Sequence, residues 1–293
     1  MLYVPALKAR YVPDGDAIFA TAWRTAEPVY ALPRTKGAKF YLIQHYETWD
    51  GAADRVDATW RLPMRKVVIA RWLYDKGLEL GVPASEMRHI PNGLDHDRYR
   101  LMVPVDSRPK RVAMLYNPAP WKGAPDGIKA LELAKEHHPD LRAVLFGTSP
   151  RPTELPSWME YLRNPPQDDL IRDVYNGSSV YLCPSWTEGW HLPAAEAMAC
   201  GCAVVSTDNG GIRDYAMDGE TAVLAPPREP EALASKLIQV LEDDALRCRL
   251  ARAGCDAIAG FRWDRSTDLL EAWLVDCERL RRVCGSRIIG QPR

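Results

Sequence analysis

The sequence predicts an α/β protein built on two parallel sheets, the second of them doubly wound, and three observations carry that prediction. From residue 111 to about 260, short apolar runs alternate with helix-length stretches, and such alternation forces parallel strands joined by helical crossovers. The runs are apolar throughout rather than at every second residue, as strands buried on both faces require. Three further runs lie upstream, beyond a stretch from His89 to Pro109 whose Pro, Gly and Asp content reads as a turn followed by a linker.

In chain order, AIFATA (17–22), KFYLIQ (39–44) and KVVIA (66–70) are the three upstream strands. The downstream strands are RVAMLY (111–116), RAVLF (142–146), a short WMEYL segment (158–162), VYLC (180–183), AVVS (203–206) and AVLA (222–225). Between them the spacing predicts helices from Lys122 to about His137, from Asp168 to Tyr175, from Pro193 to Cys200, a short one near Ile212 to Met217, and two over Glu229 to Ile258. A last helix, from about Asp264 to Arg282, carries Leu269, Leu270, Trp273, Leu274 and Cys277 at 3, 4 and 7 spacing and should lay that stripe on a neighbour. The expected organisation is a first domain over 1–92, a linker over 93–110, a second domain over 111–262, and a C-terminal helix over 263–293 packing back on the first domain.

With 46% apolar and 26% charged residues in 293, the chain is composed like a folded globular protein, and no run of 18 apolar residues marks a membrane span. Lys and Arg number 38 against 39 Asp and Glu. The chain therefore lacks the summed basic field of a nucleic-acid binder, and no nucleic-acid partner is expected. Seven cysteines, Cys183, Cys200, Cys202, Cys248, Cys255, Cys277 and Cys284, form no CxxC pair and read as buried thiols of a reducing cytosol. Met1 to Lys8 has no basic segment leading into an apolar one, so no signal peptide is expected and the location reads as cytoplasmic.

The stretch from Cys183 to Cys202, CPSWTEGWHLPAAEAMACGC, carries the most chemistry. A buried strand ends at Pro184, a Gly-containing loop follows, Pro193 falls where a first helical position would be, and Gly201 marks the helix end. The loop thus lies at the carboxyl end of a parallel strand, where open α/β sheets bind ligands, and the helix aims its free N–H groups at the same crevice. Glu188 in the loop and Glu196 in the expected first turn of the helix would suit a ligand with hydroxyls on either side of a phosphate, a nucleotide-sugar. The plainer reading is that Glu196 complements the helix dipole and Glu188 caps a turn.

The whole stretch resembles the signature of the family 4 retaining glycosyltransferases (glycosyl transferases group 1). These have the GT-B fold of two facing Rossmann-like domains. The pattern is Glu-x7-Glu, met by Glu188 and Glu196 within PS-x-x-EG-aromatic-x-LP-x-x-EAMA-x-G. In order, Ile90 to Asp95 resembles the family's interdomain segment, Trp121-Lys122-Gly123 its phosphate-binding lysine turn, and Asn209-Gly210-Gly211 its later glycine turn. The resemblance spans roughly residues 16 to 280. It implies that Glu196 binds the ribose hydroxyls, that Glu188 contacts the transferred sugar, and that the backbone of Gly189, Trp190, His191 and Leu192 faces sugar and diphosphate. Lys122 would neutralise the diphosphate as negative charge grows on the leaving group. His45, closing an apolar strand, falls where the family often has a histidine facing the donor sugar; a hydrogen-bonded structural histidine is the alternative. The implied donor is a nucleoside-diphosphate sugar used without a metal or other cofactor. The implied acceptor is a glycan or lipid-linked molecule of the cell-surface polysaccharide type, which would place the protein peripherally at the cytoplasmic face of a membrane.

Two departures stand out. The family's arginine five or six residues before the lysine is missing from Tyr116 to Pro120, and position 191, commonly Gly in the family, is His. Trp23, Trp49 and Trp60 read as acceptor-stacking faces or as core. Asp14-Gly15-Asp16 and Asp95-His96-Asp97 match an Asp-x-Asp metal motif but lie in turn-rich segments rather than at a strand end, so no metal site is expected. No GxGxxG, P-loop, HExxH or CxxC is present. A three-strand first domain is short for the GT-B fold, as though the chain opened just before a late strand of that domain. The expectation is a chain that binds donor but turns over slowly, with an uncovered edge favouring association. Two alternatives follow: a nucleotide-sugar-binding protein or partner subunit, and a GT-B epimerase acting on the nucleotide-sugar, the second disfavoured because the Glu-x7-Glu context resembles the transferases.

Overall fold

The computed structural model describes residues 6–288, with side chains to residue 276, so the reading of Met1 to Pro5 and the side chains of Cys277 and Cys284 lie outside the described residues. Two compact units emerge, one running to Gly93 and resuming at Trp263, the other spanning Leu94–Arg262.

The first unit contains β1 (Ala17–Ala20), α1 (Trp23–Tyr30), β2 (Ala38–Ile43), α2 (Ala53–Trp60), β3 (Arg65–Val68), α3 (Arg71–Glu79) and β4 (Met87–His89). Its four strands are parallel and lie in the order β1-β2-β3-β4. The fourth strand is one more than expected. It is three residues long, Met-Arg-His, and carries no apolar run that sequence reasoning could detect. Right-handed crossovers that always step the same way place their helices on one face. That face is where Gly77 of α3 approaches Met87 so closely that an added Cβ would stand 2.3 Å from its sulfur. The opposite face, with Phe19, Phe40, Leu42 and Val67, is covered by the C-terminal helix (Trp263–Ile288) through Leu270, Trp273 and Leu274, and Arg65 and Arg88 stack on the Trp273 ring.

The second unit runs β5 (Arg111–Leu115), α4 (Ala124–His137), β6 (Arg142–Gly147), β7 (Met159–Arg163), α5 (Gln167–Asp169), β8 (Val180–Cys183), α6 (Leu192–Ala199), β9 (Ala203–Thr207), β10 (Val223–Ala225), α7 (Pro230–Glu242) and α8 (Asp244–Ile258). Its six strands are all parallel and lie in the order β10-β9-β8-β5-β6-β7. The chain builds outward from β5 through β6 to β7, then returns to the other side of β5 with β8. Every residue of β8 and β9 is buried, as the continuous apolar runs required.

Three further expectations change. The helix expected over Asp168 to Tyr175 is one turn of α5 followed by a π-helical turn over Leu170–Tyr175. The short helix near Ile212 is a 3-10 turn over Gly211–Asp214. The segment read as a linker over 93–110 is sewn into the second unit from Leu94 onward: Leu94 N–H bonds Phe261 C=O, and Asn176 Oδ1 accepts from the N–H groups of Met102 and Val103. Buried Arg108 donates to the carbonyls of Val103, Tyr175, Ser178 and Cys200. Turn-forming composition hides such anchoring, because one guanidinium and one amide do the work of an apolar stripe.

Candidate functional site

The reversal of strand order falls between β5 and β8, and the loops leaving their carboxyl ends meet there. The β5 loop crosses a 3-10 turn over Pro120–Lys122 and enters α4 at Gly123, whose left-handed backbone (φ 60°) and nearness to the β8 loop admit only glycine. An added Cβ there would stand 2.1 Å from the Pro184 carbonyl oxygen. Trp186 N–H donates to Trp121 C=O at 2.7 Å, and the Trp186 indole N–H donates to Asp126 on α4 at 2.6 Å. From the other side Glu188 N–H bonds Asn209 C=O at 2.9 Å, and Thr207 donates to Ser185 C=O. The β8 loop is thereby fixed by both neighbours.

This scaffold brings Lys122, Glu188 and His191 together. Lys122 Nζ lies 2.8 and 2.9 Å from the two Glu188 carboxylate oxygens, and His191 Nδ1 lies 3.0 Å from Oε1. His191 Nε2 faces the Tyr181 hydroxyl at 3.3 Å, and Tyr215 donates to the His191 carbonyl at 2.9 Å. Glu188 is 5% and His191 6% exposed, whereas the Lys122 side chain is 24% exposed. Burial opposes charge on Glu188, but His191 and Lys122 outweigh it and hold its pKa well below the carboxylate range. Burial likewise opposes charge on His191, and Cys183 and Glu188 outweigh it, raising its pKa to about 10.

His191 adopts a left-handed backbone (φ 64°) as the N-cap of α6. Because the chain turns into the helix there, Leu192 is the first helical residue and Pro193 the second, which corrects the expectation that Pro193 comes first. Glu196 accordingly belongs to the second turn, not the first, so dipole complementation does not account for it. Its Oε2 accepts from the Tyr175 hydroxyl at 2.9 Å, and Tyr99, itself held by Gln167 at 2.5 Å, is a second hydroxyl on it. Burial raises the Glu196 pKa against these two donors.

Gly189 and the Trp190 backbone complete the loop, and Leu192 is half-buried. The Trp190 side chain is 1% exposed, packed on Tyr215 and Phe261 at ring distances of 4.7 and 5.5 Å, so only its backbone can meet a ligand. His45 belongs to the first unit, half-buried beyond β2, edge-on to Trp49 and Trp72 at 4.6 and 5.6 Å. Trp60 is core, and Trp49 is exposed beside His45. Where the family's arginine is missing, Asn117 closes a turn on Ala119 N–H. Of the two Asp-x-Asp motifs, Asp14 pairs with Lys36 and Asp95 caps the N–H groups of Asp97 and Arg98. Among the described residues no three His, Cys, Asp or Glu side chains gather as metal ligands would. Tyr99, Tyr175, Tyr181 and Tyr215 were beyond sequence reasoning: single tyrosines scattered over more than a hundred residues share no spacing.

The family described as glycosyl transferases group 1 matches residues 102–256, more than half of the chain. A D-inositol 3-phosphate glycosyltransferase of Xylanimonas cellulosilytica is 35% identical over 219 residues, 64% of this chain and 50% of the relative. A phosphatidyl-myo-inositol mannosyltransferase of Mycobacterium tuberculosis is 31% identical over 196 residues, 61% of this chain and 51% of the relative. The chain spans about half the length of these relatives. Among solved structures, HepE of Anabaena in complex with UDP-glucose superposes with a TM-score of 0.76 at 18% identity, covering 88% of this chain and 78% of that one. Sucrose-phosphate synthase of Thermosynechococcus elongatus gives 0.69 at 19% identity, covering 92% and 74%.

Proposed function

Since the chain belongs to the glycosyl transferases group 1 family and has the GT-B type of α/β fold, we propose that it transfers a sugar, with retention of configuration, from a nucleoside-diphosphate donor to a glycan or lipid-linked acceptor. The observation that carries this reading is the meeting of Lys122, Glu188 and the N-terminus of α6 at the strand-order reversal of the second sheet, with Glu196 one turn further along the helix.

In this reading the diphosphate lies against the free N–H groups of α6 and takes the Lys122 ammonium, so that fixed dipoles and one cation meet the charge that grows as the sugar–phosphate bond breaks, with no metal needed for it. Glu196, its Oε2 already held by Tyr175, accepts from the ribose hydroxyls. Glu188 and the backbone of Gly189 to Leu192 face the sugar. HepE in complex with UDP-glucose supports a nucleotide-sugar donor. The relatives' names support a phosphorylated polyol or its lipid conjugate among the acceptors to test. A lipid-linked acceptor would bring the protein to the cytoplasmic face of a membrane; no helix among the described residues is long and apolar enough to cross one.

The test is calorimetry with UDP, GDP and dTDP on the parental chain and on Glu196→Ala, followed by a transfer assay with the sugar conjugate of whichever binds. Glu196→Ala should weaken nucleotide binding by about 2 to 4 kcal/mol, as expected when two ribose hydroxyls lose a shared carboxylate acceptor. Unchanged affinity would remove Glu196 from the donor site, and isomerised donor without acceptor would turn the reading towards an epimerase.

A further inference from the structure

Both departures of this chain from the family pattern meet in one cluster. The stretch before Lys122 offers no arginine, and position 191 holds a histidine. In the structure Lys122 is committed to Glu188, both of whose oxygens take its ammonium. To turn more than its third N–H on a diphosphate, Lys122 must loosen its hold on a carboxylate that is almost wholly buried, and a buried carboxylate left without a cation is strongly disfavoured. Resting on the donor reading above, we propose that His191 is the second cation of the donor site: as an imidazolium it holds Glu188, which frees Lys122 for the diphosphate.

The geometry accommodates a charged ring. Nδ1 faces an acceptor-only carboxylate and must donate, while Nε2 faces a hydroxyl that can accept from it. Burial pushes the Tyr181 pKa well up, so that hydroxyl stays neutral. The titratable groups facing the imidazole are Tyr181 and Cys183 of β8 and Glu188 of the loop; Glu196 of α6 acts at longer range, and Tyr215 binds the His191 backbone. Lys122 reaches the ring only through Glu188. Their sum favours the cation, in line with the raised pKa. The left-handed backbone of His191 points the same way, since a strained conformation persists only where other contacts enforce it. Glycine at 191 would relieve the strain and lose the charge.

The test is a cycle on whichever of UDP, GDP and dTDP the parental chain binds. His191→Asn tolerates the left-handed backbone and can still donate to Glu188 but is neutral. It should weaken the nucleotide tenfold or more. Glu188→Gln should stay within about threefold of the parental affinity, and the double variant H191N/E188Q within about threefold of Glu188→Gln, because a neutral amide no longer detains Lys122. Parental affinity in His191→Asn, or the same tenfold loss in the double variant, would overturn the proposal. Nitrogen NMR of the imidazole in the unliganded chain reads the charge directly, including where His191→Asn fails to melt cooperatively. Both nitrogens should be protonated at pH 7.5, and a neutral tautomer there overturns the proposal. Absence of any nucleotide binding by the parental chain would sink the donor reading instead, and the imidazole signals would still decide whether His191 is the cation of Glu188.

Discussion

The two units are assembled from the same strand–helix–strand step and differ in the direction of that step. In the first, β1 to β4 are laid down in one direction, and the sheet acquires helices on one face and needs a later segment for the other. In the second, the chain reverses after β7, returns beside β5, and leaves two neighbouring loops diverging from one crevice. Lys122, Glu188 and His191 stand on those loops and at the adjoining helix start. The first unit, lacking a reversal, shows no comparable charged cluster among its described residues; its candidate, His45, stands T-shaped to two tryptophan rings. Strand order thus decides which sheet can build a polar site between loops and which depends on a borrowed helix.

That dependence is the easiest part of the comparison to break. Trp273→Ala removes the indole that spans Phe40, Val67 and Ile90 and on which Arg65 and Arg88 stack. The expected cost is about 3 to 5 kcal/mol, read as lost hydrogen-exchange protection in β2 and β3 with β8 and β9 unchanged. Equal losses in both units would mean that they unfold as one.

What the sequence revealed divides along physical lines. The site loops were legible because Lys122-Gly123 and the Glu188-to-Glu196 stretch are contiguous, and their spacing is dictated by a strand end and a helix start. The strands of the second sheet were legible because burial on both faces leaves an apolar run. β4 was not, since an edge strand of three residues carries no pattern. Nor was the anchoring of 94–110 by Arg108 and Asn176, where each bond joins residues far apart in the chain. The helix boundary at His191 was missed by one residue, which carries Glu196 from the end of the first turn into the second; propensity favours Pro193 first, but the left-handed histidine sets the start.

Within the second unit, Lys122→Ala should weaken the nucleoside diphosphate by about 2 to 3 kcal/mol while leaving the nucleoside within about 0.5 kcal/mol, because a charge-assisted contact to phosphate is lost and nothing near the base changes. Calorimetry with both ligands checks it, and equal losses would place Lys122 away from the phosphates. Tyr175→Phe is a finer probe. It removes one donor from Glu196 without opening a cavity, and nucleoside affinity should fall by about 1.5 kcal/mol as the carboxylate loses its aim. If only the melting temperature falls, Tyr175 supports the fold and not the ribose contact.

The smallest expected effect is a pH slope of stability, and it sets one buried cation against another. His191 has its pKa raised from 6.5 to about 10, burial opposing and Cys183 with Glu188 outweighing it. Between those values the folded chain keeps a proton that the unfolded chain has released, so this contribution is complete below pH 6.5 and declines as pH rises towards about 10. Glu188, held well below the carboxylate range, contributes above its ordinary 4.5 and is lost only in acid, so it adds no slope here. Cys183 has the opposite sign: burial raises its pKa, His191 more than offsets this, and the thiol's net shift is downward. The slope is therefore read in a Cys183→Ala background, where Glu188 still raises His191. In the first unit Lys66 is a buried cation, paired with Glu86 at 2.8 Å, and burial lowers its pKa despite that partner. Its folded form gives up its proton first, so its contribution rises with pH on approach to 10.5. Hydrogen exchange at pH 6.5 and 7.5, corrected for intrinsic rates, should show β8 and β9 losing about 1 kcal/mol over that interval, with no decline in β2 and β3. His191→Asn in the same background should level the second unit; a slope that survives the substitution would assign the proton to another group.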